Sequence, residues 1–480
     1  MKPPTAPGSS FPDVSSSVIT PTTTGKRTYA DAAVRCTSSN DILPPSLQLP
    51  ASLRKRHRRS AGMPSPSSVS RKLLRRELGE SMYSETACFA KHRFKNMTLQ
   101  TTMDAHDPDT MLPSLAWSRS RSKVIEITSC NDLVFALTLH GVCAVFSREL
   151  NKCICFMNIS DDEVIRSLFL NKVNESLITV SVFRKDDFSS LHCRSTPLSQ
   201  IRMNYLKSGF RLFTSECLRW PGFVEFDDVN GKILTFSAVH QKYKVWDLRT
   251  YRCLYTIHHD RIHEVKISPG LMLLIHERQD MHVPIRICDI ETGEKLQDID
   301  HLVRRNRKIE FIEQFHDKLL VKQVHENLQI VNVRTRERTE VERSHFLTPN
   351  SFIFLHESEI FLTFEQGRVN VWNFKGERVV TEFDDHVLYR SDASNSLIYV
   401  TQKQDIIVSY CQNESSGCSH GSINLSWIAN GKLIEKISCE RSEDSKHIGA
   451  LEDVSAVQYN EERSEIYSGT KDGKIHVWSN

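Results

Sequence analysis

The chain has 480 residues, of which 39% are hydrophobic and 25% are charged, as expected for a protein that folds around a large apolar core. No apolar run reaches the ~18 residues of a membrane-spanning helix, and the first residues lack a secretory signal. We therefore expect no transmembrane segment and no secretion. The 13 cysteines contain no C-x-x-C pair, which predicts reduced and mostly buried thiols in an intracellular protein.

The net charge of +3 hides two parts of opposite sign. Residues 1–122 contain 18 Lys and Arg against 9 Asp and Glu, whereas the rest of the chain contains 44 against 50. Residues 1–90 are rich in Ser, Thr and Pro and have little hydrophobic periodicity, so we expect a disordered basic tail. Residues 91–122 are expected to supply a linker and one strand, and residues 123–480 to form a repeat domain.

Two basic clusters in the tail favour import into the nucleus, because they suit the acidic grooves of import receptors. A cytoplasmic location is the first alternative. An organelle transit peptide is the second, since residues 1–30 are rich in Ser and Thr, but an Arg-rich amphipathic helix is missing. No aromatic side chain is interleaved to stack on bases, which argues against nucleic-acid binding. The candidate import residues are Arg54, Lys55, Arg56, Arg58, Arg59, Arg71, Lys72, Arg75 and Arg76.

A four-position pattern recurs through the second part of the chain. It begins with a turn residue, and apolar residues stand three and five positions after it. The residue six positions after the turn is more variable. In the last unit these four residues are Asp472, Ile475, Val477 and Trp478. This alternation is typical of a strand that leaves a tight turn. The seven turn residues are His140, His240, His282, His325, Gln366, His420 and Asp472.

The spacing of these turns predicts the fold. The steps are 100, 42, 43, 41, 54 and 52 residues, so the first step must contain an extra unit, which the irregular strands of residues 164–213 supply. Units of ~40–45 residues with four short strands are typical of propeller blades. We therefore predict an all-β propeller with eight units. Seven would remain if residues 123–157 or 164–213 did not form a full unit.

The last hairpin predicts how the ring closes. The final unit supplies three strands, at about residues 454–459, 464–469 and 474–478, and nothing follows to cover the edge of the third. Bare edges promote aggregation, so a strand from elsewhere should pair with it. The candidate is the Thr-rich segment at residues 96–102. A strand from before the first unit would close the ring and remove the free edge.

The last unit and the segment Lys244–Asp247 resemble WD40 repeats. Longer segments, Trp220–Gly231 and Ile309–Phe315, resemble a group of plant transducin/WD40-like proteins without an assigned activity. The resemblance spans about residues 115–480 and implies a propeller that holds protein partners. WD40 blades link a turn Asp through a His to a Ser or Thr and to the Trp. The residues expected to form this structural set are Ser468, Asp472 and Trp478.

Metal and catalytic sites find little support in the sequence. The turn histidines belong to different units, whereas a metal needs converging ligands at ~2.0–2.1 Å. Nucleophile-elbow, zinc-protease, P-loop and dinucleotide motifs are all missing, so we predict no enzyme and no cofactor. Cys153 and Cys155 are expected on one face of a core strand. The acidic pairs fit turns better than acid–base sites; they are Asp161-Asp162, Asp227-Asp228 and Asp384-Asp385.

One motif suggests a specific partner. Trp246-Asp247-Leu248-Arg249 resembles the W-D-x-R signature of WD40 substrate receptors for cullin-based ubiquitin ligases, in which the Arg reaches an adaptor propeller. The simpler interpretation is a well-formed blade. We therefore predict a non-enzymatic interaction scaffold, with a ligase receptor as the alternative. The candidate partner-binding residues are Trp246, Asp247 and Arg249. The sequence leaves the identity of the partners, the binding face and the oligomeric state open.

Overall fold

The computed structural model describes most of the chain beyond residue 91. No helix among the described residues is long and apolar enough to cross a bilayer. The described residues are 28–29, 92–106, 121–259, 261–277, 282–304, 306–349, 351–355, 358–365, 368–380, 383, 397–412, 421–438 and 449–480.

The strands form eight antiparallel sheets, which we number as blades 1 to 8 in chain order. In blades 1 to 7, four consecutive strands pair in the order in which they occur in the chain. Eight hydrophobic clusters lie between the blades, one at each junction, including the junction of blade 8 with blade 1. The protein is therefore an eight-bladed β-propeller, as predicted.

The strands of the first four blades have the following bounds. Blade 1 contains Val124–Cys130, Leu133–Thr138, Cys143–Ser147 and Lys152–Phe156; blade 2 contains Glu163–Asn171, Ser176–Phe183, His192–Pro197 and Phe210–Leu212; blade 3 contains Phe223–Asp227, Lys232–Ser237, Lys242–Asp247 and Cys253–His258; blade 4 contains Ile262–Ser268, Leu271–His276, His282–Asp289 and Lys295–Arg304.

The second half of the ring is built in the same way. Blade 5 contains Ile309–Phe315, Lys318–Gln323, Leu328–Asn332 and Arg338–Val341; blade 6 contains Ser351–Leu355, Ile360–Glu365, Arg368–Asn373 and Arg378–Val380; blade 7 contains Ile398–Val400, Ile406–Gln412, Gly421–Trp427 and Leu433–Ser438; blade 8 contains Val454–Asn460, Glu465–Thr470, Lys474–Ser479 and the earlier strand Thr98–Asp104.

The recurring sequence pattern marks the third strand of a blade. In blade 8, Ile475 and Val477 lie in the cluster shared with blade 1, whereas Trp478 lies in the cluster shared with blade 7. The third strand is thus buried on both faces, because each blade packs against two neighbours. Double burial explains why apolar residues occupy both the alternating positions and the position that follows them.

The irregular unit is blade 2. Between its third and fourth strands the chain inserts the helix Leu198–Arg202 and the 3-10 turn Leu206–Ser208. Leu198 and Ile201 are buried in the cluster shared with blade 1. The insertion therefore packs on the neighbouring blade, and it lengthens the first step of the repeat.

The ring closes as predicted, through a strand that precedes blade 1. Thr98–Asp104 pairs antiparallel with Lys474–Ser479, with Leu99 opposite Trp478 and Met103 opposite Ile475. Met103 is 4% exposed and packs in the cluster between blades 8 and 1. The closing strand therefore completes both the sheet of blade 8 and the apolar junction with the first blade.

The junction of blades 8 and 1 also requires a residue without a side chain. A Cβ at Gly469, on the second strand of blade 8, would lie 2.7 Å from Cβ of Val124 on the first strand of blade 1. Two backbones approach closely here, so a larger residue would push the blades apart.

The turns divide between two ends of the propeller. At the lower end, turns between first and second strands meet turns between third and fourth strands; in blade 3 the peptide N–H of Leu248 donates to the carbonyl oxygen of Gly231 at 2.9 Å. At the upper end, turns between second and third strands meet the connections between blades; the N–H of His259 donates to the carbonyl oxygen of Gln241 at 2.9 Å.

The cysteines show one departure from expectation. The nine described cysteines form no disulfide, and seven are buried. Cys153 and Cys155 were expected on one face, but Cys153 packs toward blade 8 and Cys155 toward blade 2. A register shift pairs Cys153 with Phe146 and Cys155 with Val145, so the two side chains point to opposite faces.

The predicted basic tail lies almost entirely outside the described residues, and so do all nine candidate import residues. Within it the structure describes Thr28–Tyr29, which pair antiparallel with Phe223–Asp227, the first strand of blade 3.

The closing strand pair contains a group that titrates in mild acid. His476 is 8% exposed, and its Nδ1 lies 2.9 Å from Oγ1 of Thr102. Burial lowers the pKa of His476 from 6.5 to about 4. Between these values the unfolded chain binds a proton that the folded chain does not, so stability is lost as the pH falls.

Lowering the pH from about 7 to about 4.5 should reduce the free energy of unfolding of both the wild type and His476→Gln. We expect the reduction to be about 2–3 kcal/mol larger in the wild type, which has the buried histidine. Urea denaturation at both pH values measures the difference. His240 is exposed, and His240→Gln should show the wild-type dependence on pH. An equal loss in wild type and His476→Gln would contradict the assignment.

Candidate interaction surface

The tryptophan of the W-D-x-R motif is a structural residue of blade 3. Trp246 is 8% exposed, and its Nε1 donates a hydrogen bond of 2.8 Å to Oγ1 of Thr235 on the second strand. Blade 6 has the same arrangement, with Trp372 donating to Thr363 at 3.0 Å. Each bond satisfies an indole N–H inside the sheet, where an unpaired donor would cost about 1–3 kcal/mol.

The aspartate of the motif shapes the turn between the third and fourth strands. Oδ1 of Asp247 accepts hydrogen bonds from the backbone N–H and the hydroxyl of Thr250, at 2.6 and 2.7 Å. The N–H of Tyr251 donates to the carbonyl oxygen of Asp247 at 2.8 Å. The carboxylate of Asp247 is therefore held within the turn.

Arg249 lies in the same turn, exposed at the lower end of the propeller. Its carbonyl oxygen accepts a hydrogen bond of 3.0 Å from Nδ2 of Asn174, in a turn of blade 2. Within the described part of the chain, its guanidinium has neither an ion pair nor a hydrogen bond. The backbone is thus tied to a neighbouring blade, while the cationic group faces solvent.

The structural set predicted in blade 8 is present in part. Trp478 Nε1 donates to Oγ of Ser468 at 2.9 Å, as expected. Asp472 is not linked to this pair. Its carboxylate instead accepts from the hydroxyl of Thr470 and pairs with Nζ of Lys474 at 2.7 Å. Burial disfavours the charge, but these hydrogen bonds outweigh it and hold the pKa of Asp472 below its usual range.

The turn histidines are dispersed around the ring. His140, His240 and His325 are exposed in blades 1, 3 and 5, and His282 begins the third strand of blade 4. His420 lies outside the described residues. No group of three or more His, Cys, Asp or Glu side chains that could hold a metal occurs where side chains are described.

The acidic pairs that the structure describes serve turns. Asp227 accepts from the N–H groups of Val229 and Asn230, at 3.0 and 3.3 Å, and burial raises the pKa of its carboxyl. Asp162 pairs with Lys185 at 3.3 Å. The pair at 384–385 lies outside the described residues. These contacts hold both carboxylates within their loops.

Exposed apolar residues at the lower end of the propeller were not predicted from the sequence. Met203 and Tyr205, in the insertion of blade 2, are 62% and 65% exposed. The interruption of the repeat between residues 197 and 210 was the available signal, because an insertion in a regular repeat maps to a loop on one face. Their exposure could not be read from composition alone.

Comparison with known proteins places the chain in a family. The model described as Domain of unknown function (DUF7899) matches residues 83–478. The chain belongs to this family. The match begins before Thr98–Asp104 and ends within Lys474–Ser479, so it spans the propeller together with its closing strand. No curated protein matches the chain.

Two solved structures are similar over most of their length. The computationally designed Ika8 protein has 15% identity and a TM-score of 0.45, covering 75% of this chain and 97% of its own. BamB from Moraxella catarrhalis has 12% identity and a TM-score of 0.41, covering 80% of this chain and 98% of its own. The assignment of eight blades rests on the strand pairing described above.

The bond between Trp246 and Thr235 should couple the two residues energetically. We expect Thr235→Val to lower the free energy of unfolding by about 1–3 kcal/mol, because it leaves the indole N–H buried without an acceptor. In the background of Trp246→Phe, which has no such donor, Thr235→Val should cost much less. A double-mutant cycle by urea denaturation measures the coupling. Additive effects of the two substitutions would show that the bond contributes nothing.

Proposed function

We propose that the chain is a non-enzymatic scaffold that holds other proteins together, and that it works in the nucleus. The observation that carries the proposal is the closed ring of eight packed blades with turns exposed at both ends. Turns that are hydrogen-bonded to neighbouring blades lose little conformational entropy when a partner binds. The resemblance to WD40 repeats, and to plant transducin-like proteins in particular, supports the same function.

The nuclear location rests on the tail. Its two basic clusters carry nine Lys and Arg residues within 23 positions, from Arg54 to Arg76. Short runs rich in Lys and Arg are typical of nuclear import signals. The rest of the chain is acidic as a whole, with 44 basic and 50 acidic residues after residue 122.

Fractionation of cells that express the tagged full chain tests both parts of this proposal. We expect the chain in the nuclear fraction, in a complex of fixed stoichiometry that survives size-exclusion chromatography. Exchange of all nine basic residues of the two clusters for Gln should move it to the cytoplasm, whereas Lys375→Gln with Lys403→Gln on the propeller should not. Recovery as a free monomer would contradict the scaffold, and an unchanged location would contradict import through the tail.

A second candidate function is a substrate receptor of a cullin-based ubiquitin ligase. The exposed guanidinium of Arg249 favours it, because the resemblance to the W-D-x-R signature assigns adaptor contact to this residue. Trp246 and Asp247 would then support the turn from which Arg249 projects. The scaffold function and the receptor function differ in one respect, namely whether a cullin adaptor binds at the lower end of the propeller.

For the receptor, we expect Arg249→Ala to weaken binding of the purified full chain to a cullin adaptor by more than about tenfold, as for a central interface arginine. Arg252→Ala is the matched control, since Arg252 is also exposed and lies three residues away. Surface plasmon resonance measures both. Failure of the wild type to bind the adaptor, or equal binding by Arg249→Ala, would rule out the receptor.

A further inference from the structure

The lower end of blades 1, 2 and 3 carries a set of exposed apolar side chains. We define the lower surface as the turns at residues 148–152, 172–175, 198–208, 228–230 and 248–252. Five large apolar side chains in these turns are between 44% and 65% exposed: Leu150, Val173, Met203, Tyr205 and Val229. Among the described residues, the lower turns of blades 4 to 8 carry no exposed apolar side chain of this size.

The insertion in blade 2 holds two of these side chains on a rigid base. Ile201 is fully buried against blade 1, and the N–H of Tyr205 donates to the carbonyl oxygen of Gln200 at 2.8 Å. The guanidinium of Arg194, itself 6% exposed, donates to the carbonyl oxygen of Leu206 at 3.2 Å. Met203 and Tyr205 therefore project from an anchored turn, whose backbone loses little freedom when a partner covers them.

The neighbouring turns are joined into one surface. Nδ2 of Asn174 bonds the carbonyl oxygen of Arg249, and Nδ2 of Asn171 bonds that of Leu248 at 3.0 Å. On the other side, the guanidinium of Arg202 pairs with Asp132 in a turn of blade 1. Val173 thus lies next to the turn of Arg249, and the insertion lies next to blade 1. A surface that combines Tyr, Met and Arg has the composition of protein interface hot spots.

The charge of this surface differs from that of the propeller. Residues after 122 carry six more acidic than basic residues. The exposed charged residues of the lower surface are the cations Lys152, Lys172, Arg202, Lys207, Arg249 and Arg252 and the anions Glu149, Glu175 and Asp228. Even without Arg202, whose charge Asp132 offsets, five cations stand against three anions. The surface is therefore both apolar and basic.

We propose that the lower surface binds an acidic segment of another protein, whose apolar side chains cover Met203 and Tyr205 and whose carboxylate pairs with Arg249. Opposite charge brings the segment to the surface, and burial of the apolar side chains holds it there. The tail of this chain is a poor occupant, because residues 1–122 carry nine more basic than acidic residues. The inference rests on the proposed scaffold function and names the partner's chemistry and the face that it uses.

Selection from a display library of random peptides against the purified full chain tests the inference. We expect the selected peptides to combine Asp or Glu with Leu, Ile, Phe or Trp. A labelled synthetic copy of the strongest peptide should bind Met203→Ser/Tyr205→Ser more than about tenfold more weakly, measured by fluorescence anisotropy. Arg249→Ala should weaken binding and reduce its dependence on salt, because one charge pair is lost.

Val239→Ser is the matched control, since Val239 is 56% exposed in blade 3 but lies in an upper-end turn. It should bind the peptide as the wild type does, and circular dichroism should show that all variants are folded. Recovery of no peptide, recovery of basic peptides, or equal binding by wild type and Met203→Ser/Tyr205→Ser would overturn the inference.

Two further outcomes separate this inference from related proposals. If sedimentation shows dimers that Tyr205→Ser abolishes, the surface joins two copies of the chain, and the acidic partner is wrong. If Met203→Ser/Tyr205→Ser retains the nuclear complexes of the wild type, the scaffold function stands and the lower surface is not its binding face. If the wild type itself forms no such complexes, the proposed scaffold function is wrong.

Discussion

The structure depends on one pair of strands that lie far apart in the sequence. Thr98–Asp104 and Lys474–Ser479 form the outer part of blade 8 and bring a segment from before blade 1 into the last sheet. Without this pair, blade 8 would have three strands and an open edge available to other chains. The other junctions consist of apolar side chains between neighbouring sheets. They can form a complete ring only when blade 8 is whole, with Met103 in the junction with blade 1.

The number of blades could be predicted because the third strand is buried on both faces. Its apolar positions, such as Tyr243 and Val245 on one face and Trp246 on the other, recur in the seven regular blades. The step of 100 residues indicated the irregular blade 2. Fourth strands are largely exposed, as in Cys253–His258, and leave no comparable pattern. The closing strand could be predicted for a different reason, since an unpaired sheet edge is open to pairing with other chains.

Contacts set by local geometry could not be predicted. The positions of Cys153 and Cys155 depend on a bulge, which changes the face of a residue without changing the composition of its strand. Asp472 bonds two residues of its own hairpin, Thr470 and Lys474, and does not take part in the expected link to Ser468 and Trp478. The bonds from the indole N–H groups to Thr235 and Thr363 are different, because the two second strands share the sequence Leu-Thr-Phe. This similarity could be seen in the sequence.

Only one residue of the candidate surface could be predicted from the sequence. Arg249 stands in a recognisable motif, whereas Met203 and Tyr205 lie in an insertion that resembles nothing else in the chain. The turn of Arg249 is joined to blade 2 by a hydrogen bond from Asn174, a contact between turns of successive blades. Surfaces of this kind combine short segments from several blades. The sequence shows each segment, but it does not show which segments lie side by side in the folded protein.

The closing strand also constrains how a cell can make this protein. Thr102 and His476 face each other across 374 positions. At ribosomal speeds of ~5–20 residues per second, the closing strand is synthesised about 20–75 s before the strand with which it pairs. During that interval the alternating Thr98, Gln100 and Thr102, which stay exposed in the finished ring, present polar groups to the surroundings. The nascent segment can therefore remain dissolved until translation supplies the strand that it completes.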